Sequence, residues 1–239
     1  MALNPALQIS GLGFAAGGVN VLRGVDLAVA DGEFIGIIGP NGAGKTTLFN
    51  LLSGLSRPSA GRIELAGRDI TGLSPAARAR LGLGRTFQTS LLFGGLPAVE
   101  NVRLAAQARK AKNAMAIAAE AIESVGLGAV AGRLASALSH GDKRKLELAV
   151  LMAGGSRILL LDEPMAGVNS EDVPGLTELI RKLHAEGRTV LMVEHHIAVV
   201  LGLAQRVAVL HHGELLACGV PEVVMADEIV QGAYLGEPL

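Results

Sequence analysis

The sequence predicts an α/β fold: a mainly parallel sheet, an antiparallel β region near the N-terminus, and an inserted α-helical lobe. Three observations carry this prediction. Short apolar runs at residues 34–38, 157–161 and 189–193 alternate with helical spacing, the pattern of buried parallel strands joined by helices. Alternating stretches bounded by glycine gather before Gly67, as hairpins require. Between about residues 74 and 153 the chain becomes rich in Ala and Leu at helical spacing, which breaks the strand and helix alternation and marks an insertion.

In chain order, residues 25–29 alternate and 19–22 are β-like, while Phe34-Ile35-Gly36-Ile37-Ile38 is apolar throughout and reads as a strand buried on both faces. Leu48, Leu51, Leu52 and Leu55 then fall on one stripe, so a helix is expected from Gly44 to about Leu55. Ile63-Glu64-Leu65-Ala66 alternates between Gly61 and Gly67 and reads as a further strand. Helices are expected at 75–81, 98–110, 114–125 and 142–153, separated by Gly, Pro and Ser. The core resumes with the run at 157–161, a helix from about Ser170 to His184, and the strand at 189–193. Short strands at 207–210 and 214–216 and a helical tail complete the chain. Residues 1–239 are expected to form one domain, with 1–85 and 155–239 as core and 86–154 as lobe.

Half of the residues are hydrophobic and the mean hydropathy is +0.44, yet no run approaches the roughly 18 apolar residues of a membrane-spanning helix. The first basic residue is Arg23, so a secretory signal is not expected and the protein is read as cytoplasmic. With 21 basic against 22 acidic residues, no Trp and one Tyr, neither a positive field nor a stacking platform for nucleic acid is expected. Cys218 is the only cysteine, which excludes an internal disulfide or thiolate cluster and leaves it as a small buried hydrophobe. The His195-His196 and His211-His212 pairs lack the spacing of a zinc site.

Gly39-Pro40-Asn41-Gly42-Ala43-Gly44-Lys45-Thr46 matches G-x-x-x-x-G-K-S/T between a predicted strand and a predicted helix, with Thr47 next in line. That is a phosphate-binding loop. Its glycines let backbone N–H groups wrap an anion, Lys45 supplies a point charge, and Thr46 offers a hydroxyl to Mg2+. The core is therefore expected to be of the P-loop NTPase type. Asp162 and Glu163 end a buried strand, where open α/β sheets bind ligands. Asp162 is suited to Mg2+, and Glu163 to accepting a proton from the attacking water. Gly11-Leu12-Gly13-Phe14-Ala15-Ala16 also satisfies the dinucleotide pattern G-x-G-x-x-G/A, but no helix follows it and no dinucleotide is expected. Lys143-Arg144-Lys145 starts a helix against the dipole preference. It reads as a solvated face, with a contribution to the phosphate field as the alternative.

Leu138-Ser139-His140-Gly141-Asp142 lies before Asp162 and opens a helix. With the phosphate loop and Asp162-Glu163 in this order, the chain resembles the ATP-binding subunits of ABC transporters from about Leu7 onward. The third element resembles their signature, with His140 in place of the usual glycine and Asp142 in place of glutamine. The resemblance implies ATP with Mg2+, the metal held through Thr46, Gln88 and Asp162, and Ser139 and Gly141 reaching nucleotide bound by a second ATPase subunit, identical or related. It further implies that Gln88 senses Mg2+ and the attacking water, and that His195 rather than His196 contacts the γ-phosphate. Phe14 would stack on adenine, with core packing as the alternative. Met165-Ala166-Gly167-Val168-Asn169 resembles the D-loop that touches the partner subunit, with Asn169 in place of aspartate.

Met165-Ala166-Gly167 and the ending Tyr234-Leu235-Gly236-Glu237 resemble ATPases of branched-chain amino acid importers, and Leu138-Ser139-His140-Gly141 is also similar to urea-importer relatives. The implied function is to energise uptake of branched-chain amino acids or a related small polar solute at the cytoplasmic face of the inner membrane. Membrane permease subunits would be direct partners, docking near Leu91, Leu92 and Phe93, and a solute-binding protein an indirect one. The alternatives are an importer of urea or another amide or amino acid, a P-loop phosphotransferase, and an ATP-gated module that does not hydrolyse.

Overall fold

The computed structural model describes residues 5–235. Its elements are β1 (Leu7–Ala16), β2 (Val19–Val29), β3 (Phe34–Ile38), α1 (Lys45–Ser53), β4 (Ala60–Leu65), β5 (Arg68–Asp69), α2 (Pro75–Arg80) and β6 (Leu83–Arg85). The central helices α3 (Ala98–Ala108), α4 (Ala114–Ser124) and α5 (His140–Ala153) follow. Then come β7 (Ile158–Asp162), α6 (Val173–Ala185), β8 (Thr189–Val193), α7 (Ile197–Leu203), β9 (Arg206–His211), β10 (Glu214–Gly219), α8 (Pro221–Ala226) and α9 (Glu228–Leu235). Gly236 and Glu237 of the importer-like ending lie outside the described residues.

Two sheets result, as their sequences anticipate. The larger has the order β10-β9-β3-β8-β7-β6 and is parallel except for β10, which pairs antiparallel to β9 at the edge. The smaller, β2-β1-β4-β5, is antiparallel. All five residues of β3, β7 and β8 are buried, and their side chains divide with period two between two cores. Phe34, Ile38, Leu159, Leu161, Val190 and Met192 point into the core shared with α3 to α6. Ile35, Ile37, Ile158, Leu160, Leu191 and Val193 point into the core beneath α1 and the smaller sheet. The first core runs unbroken from the sheet into the helical lobe, so lobe and sheet stabilise each other by burying the same apolar surface.

Several local expectations are corrected. β1 and β6 were not anticipated: β1 is glycine-rich and irregular, with register shifts between Ile9 and Leu12 and between Leu12 and Phe14, and β6 is only three residues long. The dinucleotide look-alike at 11–16 is part of β1. The helix expected to reach Leu55 ends at Ser53, because Gly54 adopts a left-handed φ of 81° and caps it. The helix expected from Ser170 begins at Val173, where Pro174 presets the first turn. Cys218 is half-buried rather than enclosed, with an Arg206 guanidinium nitrogen 3.0 Å from its sulfur. The Lys143-Arg144-Lys145 run is not simply a solvated face, since the Arg144 side chain is buried. Leu92 is half-buried against the first core, whereas Leu91 and Phe93 are exposed. Among the described residues no helix is long and apolar enough to cross a membrane.

Candidate active site

The phosphate loop leaves β3 and enters α1. A Cβ on Gly39 would lie 2.1 Å from the Leu210 carbonyl oxygen of β9, so only glycine lets the loop pass the neighbouring strand so closely. Gly44 caps α1 with φ 103°, and a Cβ there would press on Leu22 at 2.6 Å. Asn41, Gly42 and Thr46 are exposed, Pro40 and Thr47 half-buried, and Ala43 buried. No acidic residue occupies the first turn of α1, which leaves its positive dipole end for an anion. Lys45 is buried, and its Nζ donates to the carbonyl oxygens of Gly39 (2.6 Å) and Pro40 (2.9 Å). Burial pushes its ammonium below the ordinary lysine value, while the charges of Glu163 and Asp162 act in the opposite direction.

β7 and β8 are parallel neighbours, with Asp162 beside Val193. The residues just beyond these two strand ends therefore meet. Glu163 takes a left-handed φ of 48° and donates its backbone N–H to the Val193 carbonyl at 2.9 Å. A non-glycine residue in that region is strained unless its surroundings enforce it. Its carboxylate is held from both sides: Gln88 Nε2 donates to Oε2 at 2.9 Å, and His195 Nε2 lies 2.9 Å from Oε1. Five of the anticipated residues, Lys45, Gln88, Asp162, Glu163 and His195, thus converge, linked by these bonds and by the charges that act on Lys45. His196 points elsewhere, with Nδ1 3.3 Å from Glu194 Oε2.

Asp162 is 3% exposed and pairs with Arg85 Nη2 at 2.8 Å. The same guanidinium donates to Asn50 Oδ1 (2.8 Å) and Ser53 Oγ (2.9 Å) on α1 and lies over the Phe87 ring at 4.9 Å. Arg85 therefore bolts the strand end to the phosphate-loop helix. Arg144 has an equivalent place on α5, donating to the carbonyl oxygens of Phe87 (2.9 Å), Gln88 (2.8 Å) and Ala166 (3.4 Å) and to Glu147 Oε2 (3.0 Å). Sequence reasoning missed Arg85 as part of the site, and for Arg144 it favoured a solvated face with the phosphate field as the alternative. The signal for Arg144 was a cation near the start of a helix, which opposes the dipole and so calls for an acceptor nearby.

Ser139 and Gly141 do not join this cluster. Ser139 is exposed and caps α5, accepting from the Asp142 N–H at 3.1 Å. Gly141 faces Asp172, and His140 lies against Gly167. Among the described residues, no side-chain hydrogen bond links Ser139 to the phosphate loop of its own chain. Phe14 sits across from Leu22 on the β1–β2 hairpin, half-buried against the second core. Leu22 in turn packs over Gly44, which places the hairpin beside the phosphate loop.

Comparison with known proteins identifies the family and the fold. The ABC transporter family profile matches residues 22–166. The high-affinity branched-chain amino acid transport ATP-binding protein BraF of Pseudomonas aeruginosa is 40% identical, covering 98% of both chains. The corresponding LivG protein of Escherichia coli strain K12 is 38% identical over the same share of each. Among solved structures, the ADP conformation of MJ1267, an ATP-binding cassette of an ABC transporter, superposes with TM-score 0.86 at 28% identity, covering 97% of this chain and 99% of that one. A dimeric post-hydrolysis state of the cassette MJ0796, bound to ADP and Pi, superposes with TM-score 0.79 at 25% identity over 90% and 98%. The chain belongs to the ABC transporter family, as one of its ATP-binding, ATP-hydrolysing subunits.

Proposed function

We propose that this subunit hydrolyses MgATP to energise an importer of branched-chain amino acids or a related small polar solute. The carrying observation is Glu163, whose two carboxylate oxygens are each held by a different side chain beside the buried Lys45. Gly39, Pro40, Asn41, Gly42, Ala43, Gly44, Lys45, Thr46 and Thr47 would hold the phosphates, and Phe14 the adenine. Thr46, Asp162 and the Gln88 amide oxygen form a hard oxygen donor set that suits Mg2+. Among the described residues no group of three His, Cys, Asp or Glu could hold an ion alone, which fits a metal shared with substrate phosphates. Bound there, Mg2+ would neutralise phosphate charge.

The chain's own residues supply the rest. Glu163 accepts the proton of the attacking water, and the bonds from Gln88 and His195 fix its plane so that one oxygen faces that water. Lys45 meets the charge developing on the phosphates. Ser139 and Gly141, outside the cluster of their own chain, would complete the site of a second cassette, a reading supported by the dimeric MJ0796 relative with ADP and Pi. Replacing Glu163 with Gln keeps the volume and removes the base. ATPase activity should fall roughly 10²–10⁴-fold with nucleotide binding retained, and activity within threefold of the parent would refute the assignment.

The permease subunits would seat in an apolar groove of about 660 Å³ between α2, β6, α3 and α5, lined by Ala79, Leu83, Phe87, Ala105, Val150 and Leu151. Exposed Leu91 and Phe93, 65% and 61% accessible, stand just beyond Gln88 on the segment leading to α3. Contact there places the subunit peripherally at the cytoplasmic face of the membrane, with a solute-binding protein as an indirect partner. Reconstitution with the permease subunits and a panel of leucine, isoleucine, valine and urea tests the solute. Stimulation by urea alone would replace the amino acid reading.

A further inference from the structure

The Glu194 side chain is 2% exposed, and its polar contacts reach both segments that carry Glu163 and His195. Oε1 accepts the backbone N–H of Met165 at 2.7 Å. Oε2 accepts the backbone N–H of His195 at 2.9 Å and that of His196 at 3.3 Å, and lies 3.3 Å from His196 Nδ1. One oxygen thus serves the segment that follows β7 and the other the segment that follows β8. Two residues before Met165, Glu163 holds a left-handed backbone, a conformation that persists only where the surroundings over-determine it. The Glu163 N–H bond to Val193 fixes one side of that residue, and the Met165 bond to Glu194 fixes the chain just beyond it.

We propose that Glu194 is a positioning residue for ATP hydrolysis, its buried carboxylate tying the Glu163 segment to the His195 segment so that the 2.9 Å contact between those two side chains is set before nucleotide binds. A carboxylate suits the position because all three backbone partners are N–H donors and an acceptor-only group can serve them together. An amide cannot, since its NH2 would face donors. The inference rests on the reading that Glu163 and His195 act together at the attacking water.

The test compares full-length Glu194→Gln, His195→Ala and the double variant in steady-state ATPase kinetics. Glu194→Gln should lower kcat at least tenfold while KM for MgATP stays within threefold, because no Glu194 atom belongs to the phosphate loop. In that background His195→Ala should cost less than a further twofold. A Glu194→Gln enzyme within twofold of the parent, or penalties that multiply in full, would overturn the proposal. A crystal structure of Glu194→Gln provides a readout independent of His195's role in the chemistry: the proposal expects the Glu163 to His195 separation to exceed 3.5 Å and falls if the contact is unchanged. If His195→Ala alone leaves kcat intact, the shared-water reading fails, and that structure still decides whether Glu194 sets the contact. Should Gln at 194 prevent folding, Glu194→Asp keeps the charge, is one methylene too short to bridge both segments, and faces the same criteria.

Discussion

Replacing Arg85 with methionine should destabilise the protein by about 3–5 kcal/mol, because it leaves Asp162 as a buried charge without its partner. The two side chains are 5% and 4% exposed and 2.8 Å apart, so little solvent screening reduces the loss. Asn50 Oδ1 and Ser53 Oγ lose their Arg85 donor as well, at about 0.5–1.5 kcal/mol for each ordinary hydrogen bond. Methionine fills much of the arginine's volume, so cavity formation adds little, although the cation contacts with the Phe49 and Phe87 rings are lost. Chemical denaturation in urea measures the change. The decisive comparison is Arg85→Met with Asp162→Asn: removing both charges should recover at least ~2 kcal/mol relative to the sum of the single variants, since neither charge is then stranded. Strict additivity within about 0.5 kcal/mol would refute the idea that the pair bolts β7 to α1.

Lys45→Ala should abolish measurable nucleotide binding by calorimetry while shifting the melting temperature little, because the side chain bonds only to two loop carbonyls; retained affinity would remove it from the phosphate site. Arg144→Met should lower ATPase activity about tenfold or more by freeing the Gln88 backbone, whereas Arg144→Lys, without the planar fork, should recover only part; equal activity of all three enzymes would show that the clamp is only packing. Burial pushes the Cys218 thiol above the usual cysteine value, against the opposing Arg206 charge. Since alkylation follows the thiolate fraction, iodoacetamide should modify it more slowly at pH 8 than it modifies free cysteine, with the rate still climbing above pH 9. A faster reaction than free cysteine would contradict that direction.

What the sequence determined by itself was whatever short spacing encodes. Continuous apolar runs located β3, β7 and β8, helical stripes located α1, α3, α4 and α5, and the glycine pattern around Lys45 identified a phosphate loop from local backbone geometry alone. Elements lacking such a signal were missed, because β1 carries irregular register and β6 has three residues. Convergence is a different matter. Glu163 and His195 are 32 positions apart and meet only because β7 and β8 are parallel neighbours, and the family resemblance, not spacing, brought them together in the sequence reading. Arg85, Arg144 and Glu194 show the limit most clearly, since a charged residue in sequence reads as solvated by default. Burial beside acceptors or donors drawn from distant segments turned each into a structural tie. Which charges leave water is set by packing across the whole fold, and no local pattern carries that information.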